Sequence, residues 1–317
     1  MYSVKRYEKN NETIWNEFVS LAKNGHFFFH RKYLEYHEDR FLDYSLMIFD
    51  DKDSLIALLP ANIAEETVYS HQGLTFGGLI TKTSVKQIVV INALNAIVDF
   101  LSKQNVTRLV YKAIPSIYHI IPSDEDLYAL FRVGAKLVRR DVSSSINLNN
   151  QLTYSKGRKW LVKKAKSSGA EITKVDDIKS FWKELNNVLY ANHNVSAIHS
   201  LAEIEYLISS FPNNISCYAT MFEGEIVSGA VIYDYKGVAH TQYLFNNEQG
   251  RNIGGLDLLI DHLVKSVYIS HRFFDFGISN EQQGQYLNEG LIAQKEVKPL
   301  CKNLPTNTAF LLNEFVS

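Results

Sequence analysis

The chain is short of cysteine. It has two in 317 residues, Cys217 and Cys301, so a disulfide-stapled secreted scaffold is excluded. It also lacks a charge of dominant sign. Its formal net charge is −1, which gives no global pull towards DNA or an anionic membrane surface. No apolar run reaches the ~18 residues of a membrane span. The opening MYSVKRYEKNNETIW has no apolar core of the signal-peptide kind, and the expectation is a soluble cytoplasmic protein. Chemistry-bearing motifs are missing too. There is no Gly-x-Ser-x-Gly nucleophile elbow and no Walker loop. His26, His30 and His37 come without a matching carboxylate or cysteine set, so no metal is expected.

What the chain does have is length and aromatic bulk. At 317 residues, with 18 Tyr and 18 Phe, it exceeds the usual size of a single core, and two domains are expected. Residues 13–24 carry Ile14, Phe18 and Leu21 on one helical face. A short helix is expected over 31–39. Residues 44–49 and 55–59 flank the turn DDKDS as a hairpin, and YSH (69–71) reads as a further strand. Helical spacing of Ile88, Ile91, Leu94, Val98 and Leu101 predicts a helix over 85–103, followed by a strand at 108–114.

The same order then returns. Residues 215–222 and 226–235 flank a second hairpin turn. Strand 238–245 carries His240, and the segment NNEQGRNIGG (246–255) reads as a loop. Leu256, Leu259, Ile260, Leu263, Val264 and Val267 mark an amphipathic helix, and strand 272–278 follows. Each half therefore reads hairpin, His-bearing strand, Gly-Gly, helix, strand. The turns Asp51 and Glu223 lie 172 residues apart, His71 and His240 lie 169 apart, and Gly77 and Gly254 lie 177 apart. The expectation is an α/β fold of mixed sheets in two copies, residues 1–142 and 143–317. A basic helix stands at the start of the second. A dinucleotide-binding fold fits poorly, because it would alternate strand and helix throughout.

Two segments carry a family resemblance. The run from NGHFFFHRKYLEYHEDRF through YSHQGLTFGG resembles the amino-terminal half of FemAB-like acyltransferases of the GNAT superfamily. FDFGISNEQQGQYLNEGLIAQKE (274–296) resembles their second half. The resemblance implies tandem GNAT-like domains and acyl transfer to an amine, with acetyl-CoA as cosubstrate. The family's usual Phe-Gly pair after QKE is replaced here by Val297, Lys298 and Pro299.

Candidate site residues follow from chemistry set beside that resemblance. Glycines ahead of a helix let an anion approach unpaired backbone donors at the positive end of the helix dipole. Arg251, Gly254 and Gly255 are the expected donor-binding set, although Leu256 stands where the family loop has a small residue. A flexible loop is the bland alternative. Asp275, within an aromatic strand, is a candidate general base. His240 is its rival, and Glu281 is a third candidate. Ser70, His71 and Gln72 are expected to line an acceptor cleft opposite Asp275 and Glu281. Lys112, Tyr118 and His119 stand at a strand end, where α/β sites gather. Lys156, Arg158, Lys159, Lys163, Lys164 and Lys166 form a cluster without an acid, suited to phosphate. Arg158 and Lys159 are its candidate contacts, and a solvated face is the alternative.

These readings converge on an N-acyltransferase acting on a small amine, such as a nucleotide-linked amino sugar or a cell-envelope precursor. Two alternatives stay open. One is Fem-type transfer from aminoacyl-tRNA, against which the near-neutral charge and single basic helix argue. The other is a degenerate pair that binds a sugar nucleotide or a partner without turnover.

Overall fold

Val90, Ala93, Leu94, Ile97 and Leu101 recur every three or four residues, and this spacing sets one apolar stripe along a helix. In the computed structural model they are the buried face of a helix over Gln87–Ser102. The structure describes residues 2–150, 154–296 and 301–313. The family-ending departure at Val297, Lys298 and Pro299 lies outside the described residues. The chain divides into two units. One comprises Met1–Val142, Asn280–Tyr286 and Pro305–Ser317, and the other Ser143–Ser279 and Leu287–Leu304.

The first unit contains β1 (Ser3–Arg6), α1 (Glu12–Leu21), α2 (Arg31–Glu35), β2 (Leu42–Asp43), β3 (Leu46–Phe49), β4 (Leu55–Leu59), β5 (Asn62–Ala64), β6 (Thr67–Tyr69), β7 (Ile80–Thr81), α3 (Gln87–Ser102), β8 (Arg108–Lys112) and α4 (Glu125–Arg132). Strand β9 (Lys136–Asn147) continues into the second unit. The expected hairpin β3–β4 lies in an antiparallel sheet of order β1-β3-β4-β7. Strands β5 and β6 form a separate antiparallel pair, and β6 runs parallel to β8. Helix α3 is the crossover between those parallel strands. It covers a core that includes Leu46, Ile48, Leu59, Leu109 and Tyr111.

The second unit contains α5 (Lys156–Ser167), β10 (Glu171–Lys174), α6 (Ile178–His193), α7 (Leu201–Ser210), β11 (Ile215–Phe222), β12 (Glu225–Tyr235), β13 (Val238–Asn246), α8 (Glu248–Ile253), α9 (Gly255–His262) and β14 (Phe273–Ile278). The short strands β15 (Asn280–Glu281) and β16 (Tyr286–Leu287), helix α10 (Glu289–Glu296) and strand β17 (Cys301–Asn313) complete the chain. Strands β10 to β13 are antiparallel neighbours in chain order, β14 joins β13 in parallel, and β9 closes antiparallel on β14. Leu256, Leu259, Ile260, Leu263 and Val264 pack on Ala230, Ile232, Ala239, Phe274 and Phe276. This is the apolar stripe expected from the spacing. Here too a helical crossover joins two parallel strands.

The structure corrects four local expectations. Helix α1 buries Trp15, Phe18 and Val19, and the expected Ile14 and Leu21 are exposed. The segment 246–255 is not a loop, because Glu248–Ile253 is helical. Asn247 caps it by accepting from Gly250 N at 2.9 Å, and Gly254 ends it in a left-handed conformation. Gly250 inside this helix is required by close packing: a Cβ there would come 2.3 Å from the Val227 carbonyl. His71 is not on a strand. Strand β6 ends at Tyr69, and His71 opens a turn closed by Leu74 N on its carbonyl at 3.3 Å. Finally, residues 178–210, to which the sequence reading assigned no element, hold α6 and α7. The second of these starts with a capping box between Ser200 and Glu203.

Candidate active site

Two parallel strands that stay paired leave no room for a ligand between them. Strands β13 and β14 do not stay paired. Their register holds at Val238–Phe273, Ala239–Phe274 and His240–Asp275 and then ends, while β13 runs on to Asn246. Two irregularities accompany the separation. Gln242 is an extra residue of β13 against β12, between Thr241 and Tyr243. On β14 the register to β9 slips between Asp275 and Ile278, where Gly277 takes φ +70°. Such bulges bend a strand and re-aim its side chains. The result is a wedge in which, among the described residues, no strand pairs with this edge of β13 beyond His240.

At the apex stands a chain of polar groups. Ser143 Oγ donates to Asp275 Oδ1 at 2.6 Å. Asp275 Oδ2 lies 2.8 Å from His240 Nδ1. A carboxylate can only accept, so Nδ1 carries a proton and Nε2 is the nitrogen left to exchange one. Asp275 is 2% exposed and the His240 side chain 12%. His240 Nε2 has no hydrogen-bond partner among the described residues. Asp275 and His240, rivals for the base in the sequence reading, are thus members of one hydrogen-bonded chain.

The wedge opens into a cavity of about 320 Å³. Leu244, Phe245 and Asn246 of β13 line it with Phe276 of β14 and Leu256 of α9. Helix α6 adds Val188, Leu189, Asn192 and His193, and α10 adds Leu291, Gln294 and Lys295. No Asp or Glu is among the lining residues. Lys295 is 6% exposed, and its Nζ donates to the carbonyls of Gly277 and Ile278 at 2.9 and 2.8 Å. It ties α10 to the slipped part of β14. The sequence reading quoted Lys295 within QKE but did not single it out. Its burial and its two carbonyl partners exist only once α10 is folded against β14.

The expected donor-binding set is only partly available. Arg251 is exposed, lines the cavity and donates to Asn246 O at 2.9 Å. Gly254 N already donates to Gly250 O at 3.0 Å. A Cβ at Gly254 would come 2.7 Å from Leu161 O, so this glycine answers to its φ of +86° and to the close approach of α5. A Cβ at Gly255 would meet Ser228 Oγ at 3.2 Å. Arg158 is ion-paired with Asp257 and donates to Gln294 O at 3.3 Å, so its charge is taken up within the unit. Lys159 is exposed.

Neither a family model nor a curated protein matches the sequence. Solved structures do match. The structure of FemX aligns with a TM-score of 0.69 at 9% identity, over 98% of this chain and 97% of that one. L-PGS from Bacillus licheniformis aligns at 0.58 and 13% identity, over 99% and 94%. A tandem GNAT protein from the clavulanic acid biosynthesis pathway aligns at 0.52 and 9% identity, over 100% and 99%. The fold is GNAT-like and of the FemAB type.

In the first unit of this FemAB-type fold, the parallel pairing of β6 with β8 brings Ser70, His71 and Lys112 together. Ser70 Oγ accepts from Lys112 N at 2.6 Å. Gln72 is clamped twice by Asn62, through its backbone N and its Oε1, both at 2.8 Å. Tyr118 is not free to line a surface. It is buried against Phe76 and His26 at ring distances of 4.6 and 5.5 Å. His119 is buried with Ser123 Oγ at 3.3 Å from its Nδ1. Glu281 belongs to the first unit and is exposed, whereas Asp275 and His240 belong to the second. Among the described residues no cluster of His, Cys, Asp and Glu could hold a metal ion, and no helix is long and apolar enough to cross a membrane.

Proposed function

We propose that the protein is an N-acyltransferase in which the wedge between β13 and β14 receives an acyl thioester, with acetyl-CoA as its donor. The observation that carries this reading is the Ser143–Asp275–His240 chain where β13 and β14 part, next to a cavity whose lining mixes apolar side chains with amides, Arg251 and Lys295. An extended donor with amide groups can pair with the free edge of β13 as an added strand does. The amine nitrogen attacks the acyl carbon and forms the C–N bond. Nε2 of His240 takes the ammonium proton, the C–S bond breaks, and the proton passes to the departing thiolate. No covalent enzyme intermediate is needed. Asp275 keeps Nδ1 protonated and the ring oriented, and it stabilises the imidazolium that forms. Holding the two reactants together supplies much of the rate. Arg251, at the exposed edge of the cavity, is placed for the donor's phosphates. A nucleotide-linked amino sugar or cell-envelope precursor made in the cytoplasm is the acceptor class we favour.

A second reading has one observation behind it. Lys156, Lys159 and Lys163 are exposed on α5, and Trp160 between them is 59% exposed. This surface suits the phosphate backbone of an aminoacyl-tRNA donor. An aminoacyl group carries an ammonium, however, and the cavity lining offers it no carboxylate. The test is thermal shift and thiol release with acetyl-CoA, longer acyl-CoAs and free CoA, beside aminoacyl-tRNA with several amines. Stabilisation and turnover by acyl-CoA, lost in His240→Ala, is the expected result. Turnover with aminoacyl-tRNA alone would replace the first reading by the second. No turnover with either, together with binding of nucleotide sugars, would leave a binding protein.

A further inference from the structure

The first unit holds a buried basic cluster to which the proposed transfer at His240 gives no role. His71 is 1% exposed and sits at φ +67°, a conformation that residues other than glycine seldom hold. Its neighbours fix it there. Ser70 N donates to Val110 O at 2.9 Å, and Ser70 Oγ accepts from Lys112 N. The His71 ring stacks on that of His37, 5.1 Å away and inclined by 11°. His71 Nδ1 is buried and has no hydrogen-bond partner among the described residues.

Lys112 lies beside it. Its Nζ donates to Leu74 O at 2.5 Å, which leaves two N–H groups of the ammonium for other acceptors. The charged groups that act on this pair most strongly are cationic. His37, stacked on His71, acts on it together with the charges of Lys112 and Arg31, and the charge of Arg139 acts on Lys112. Arg31 has counter-ions in Glu35 and Asp43, and Arg139 has one in Asp141. Lys112 has none among the described residues. Burial, followed by Arg139, pushes Lys112 down to about 8. Burial, followed by His37, holds His71 well below the ordinary histidine range. Buried cationic groups without a counter-ion are costly, and a bound anion removes that cost.

We propose that Lys112 and His71 bind the oxyanion of a small ligand, a phosphoryl or carboxylate group, with the Lys112 ammonium as the main donor and the His71 ring as the second. The bound anion favours the protonated form of both groups, so binding takes up protons. Affinity falls as pH rises through about 8, where Lys112 loses its charge.

The experiment is calorimetric titration of the full chain with inorganic phosphate and, separately, with acetate, at pH 7 and pH 9 and in two buffers of different ionisation heat. Saturable binding with proton uptake at pH 7 is expected. It should weaken by about tenfold or more, ~1.4 kcal/mol, in Lys112→Met and in His71→Asn. A stronger response to phosphate assigns a phosphoryl ligand, and a stronger response to acetate assigns a carboxylate. Lys112→Arg provides a folded comparison should Lys112→Met fail to fold: it keeps the charge and should hold its affinity at pH 9, where the wild type loses it. Equal binding in His71→Asn and the wild type, or no saturable binding of either anion, would overturn the site. His240→Ala should bind phosphate as the wild type does, so the failure of the transfer reading and the failure of this one are told apart.

Discussion

His240 Nδ1 and Asp275 Oδ2 stand 2.8 Å apart at the last registered pair between β13 and β14. The residues that close the parallel ladder are therefore the ones joined by this hydrogen bond. If this pair carries the proton transfer, His240→Ala should lower kcat by roughly 10²–10⁴-fold while donor affinity changes little. Asp275→Asn should follow it closely, because the carboxamide no longer fixes Nδ1–H. Ser143→Ala should cost least, since it removes only a donor to Asp275 Oδ1. Steady-state kinetics with a direct donor titration separates the effects. Full turnover in Asp275→Asn would show the pair to be structural.

Lys295 is expected to matter for both stability and donor binding. Methionine there keeps the apolar stem but leaves the carbonyls of Gly277 and Ile278 without the ammonium. A loss of about 1–3 kcal/mol is expected from the unsatisfied groups, with weaker donor affinity as the slipped segment of β14 relaxes. Urea denaturation beside donor titration checks both. A variant as stable as the wild type would mean that water replaces the ammonium without cost.

Two glycines should respond in opposite directions to alanine. Gly254→Ala meets a φ of +86° and the Leu161 carbonyl at 2.7 Å, so a loss of about 1–3 kcal/mol is expected. Gly157 lies in the first turn of α5 with nothing within 4 Å of a new Cβ. Alanine there should stabilise by up to about 1 kcal/mol. Melting of the two variants side by side decides it, and a stabilised Gly254→Ala would contradict the close approach of α5.

Burial pushes the Asp126 carboxyl up from 3.8 to about 6, against the hydrogen bond that Tyr111 donates to it. For an acid raised in the folded state, the native chain binds more protons between these two values. The contribution of Asp126 to stability is then full below about 3.8 and is lost as pH rises through about 6. Asp126→Asn removes the titration, so its urea midpoint should change less than the wild type's between pH 4 and pH 7. Parallel curves for the two proteins would disprove the raised value.

The periodic features were legible in the sequence, because they are local. The helix over 85–103 and the stripe from Leu256 to Val264 follow from a 3.6-residue period, although the first helix buries Val90, Ala93, Leu94, Ile97 and Leu101 and leaves the expected Ile88 exposed; the hairpins at 46–59 and 215–235 follow from turn residues between apolar runs. The sequence also placed His240 and Asp275 on the strands where they lie. It could not join them, because their hydrogen bond depends on a parallel register set by a crossover of 26 residues, 247–272. It took 246–255 for a loop, since the glycine at 250 disguises a helix pressed against Val227. It missed Lys295, whose two carbonyl partners are made only by the slip in β14. His71 was singled out for its neighbouring glycines, yet its left-handed backbone, its stacking on His37 and its nearness to Lys112 are products of packing. Local period and turn chemistry settle which segments become helix and strand. Where two strands part, and which charges are buried together without a counter-ion, is decided only when distant segments pack, because register and desolvation are properties of the assembled fold.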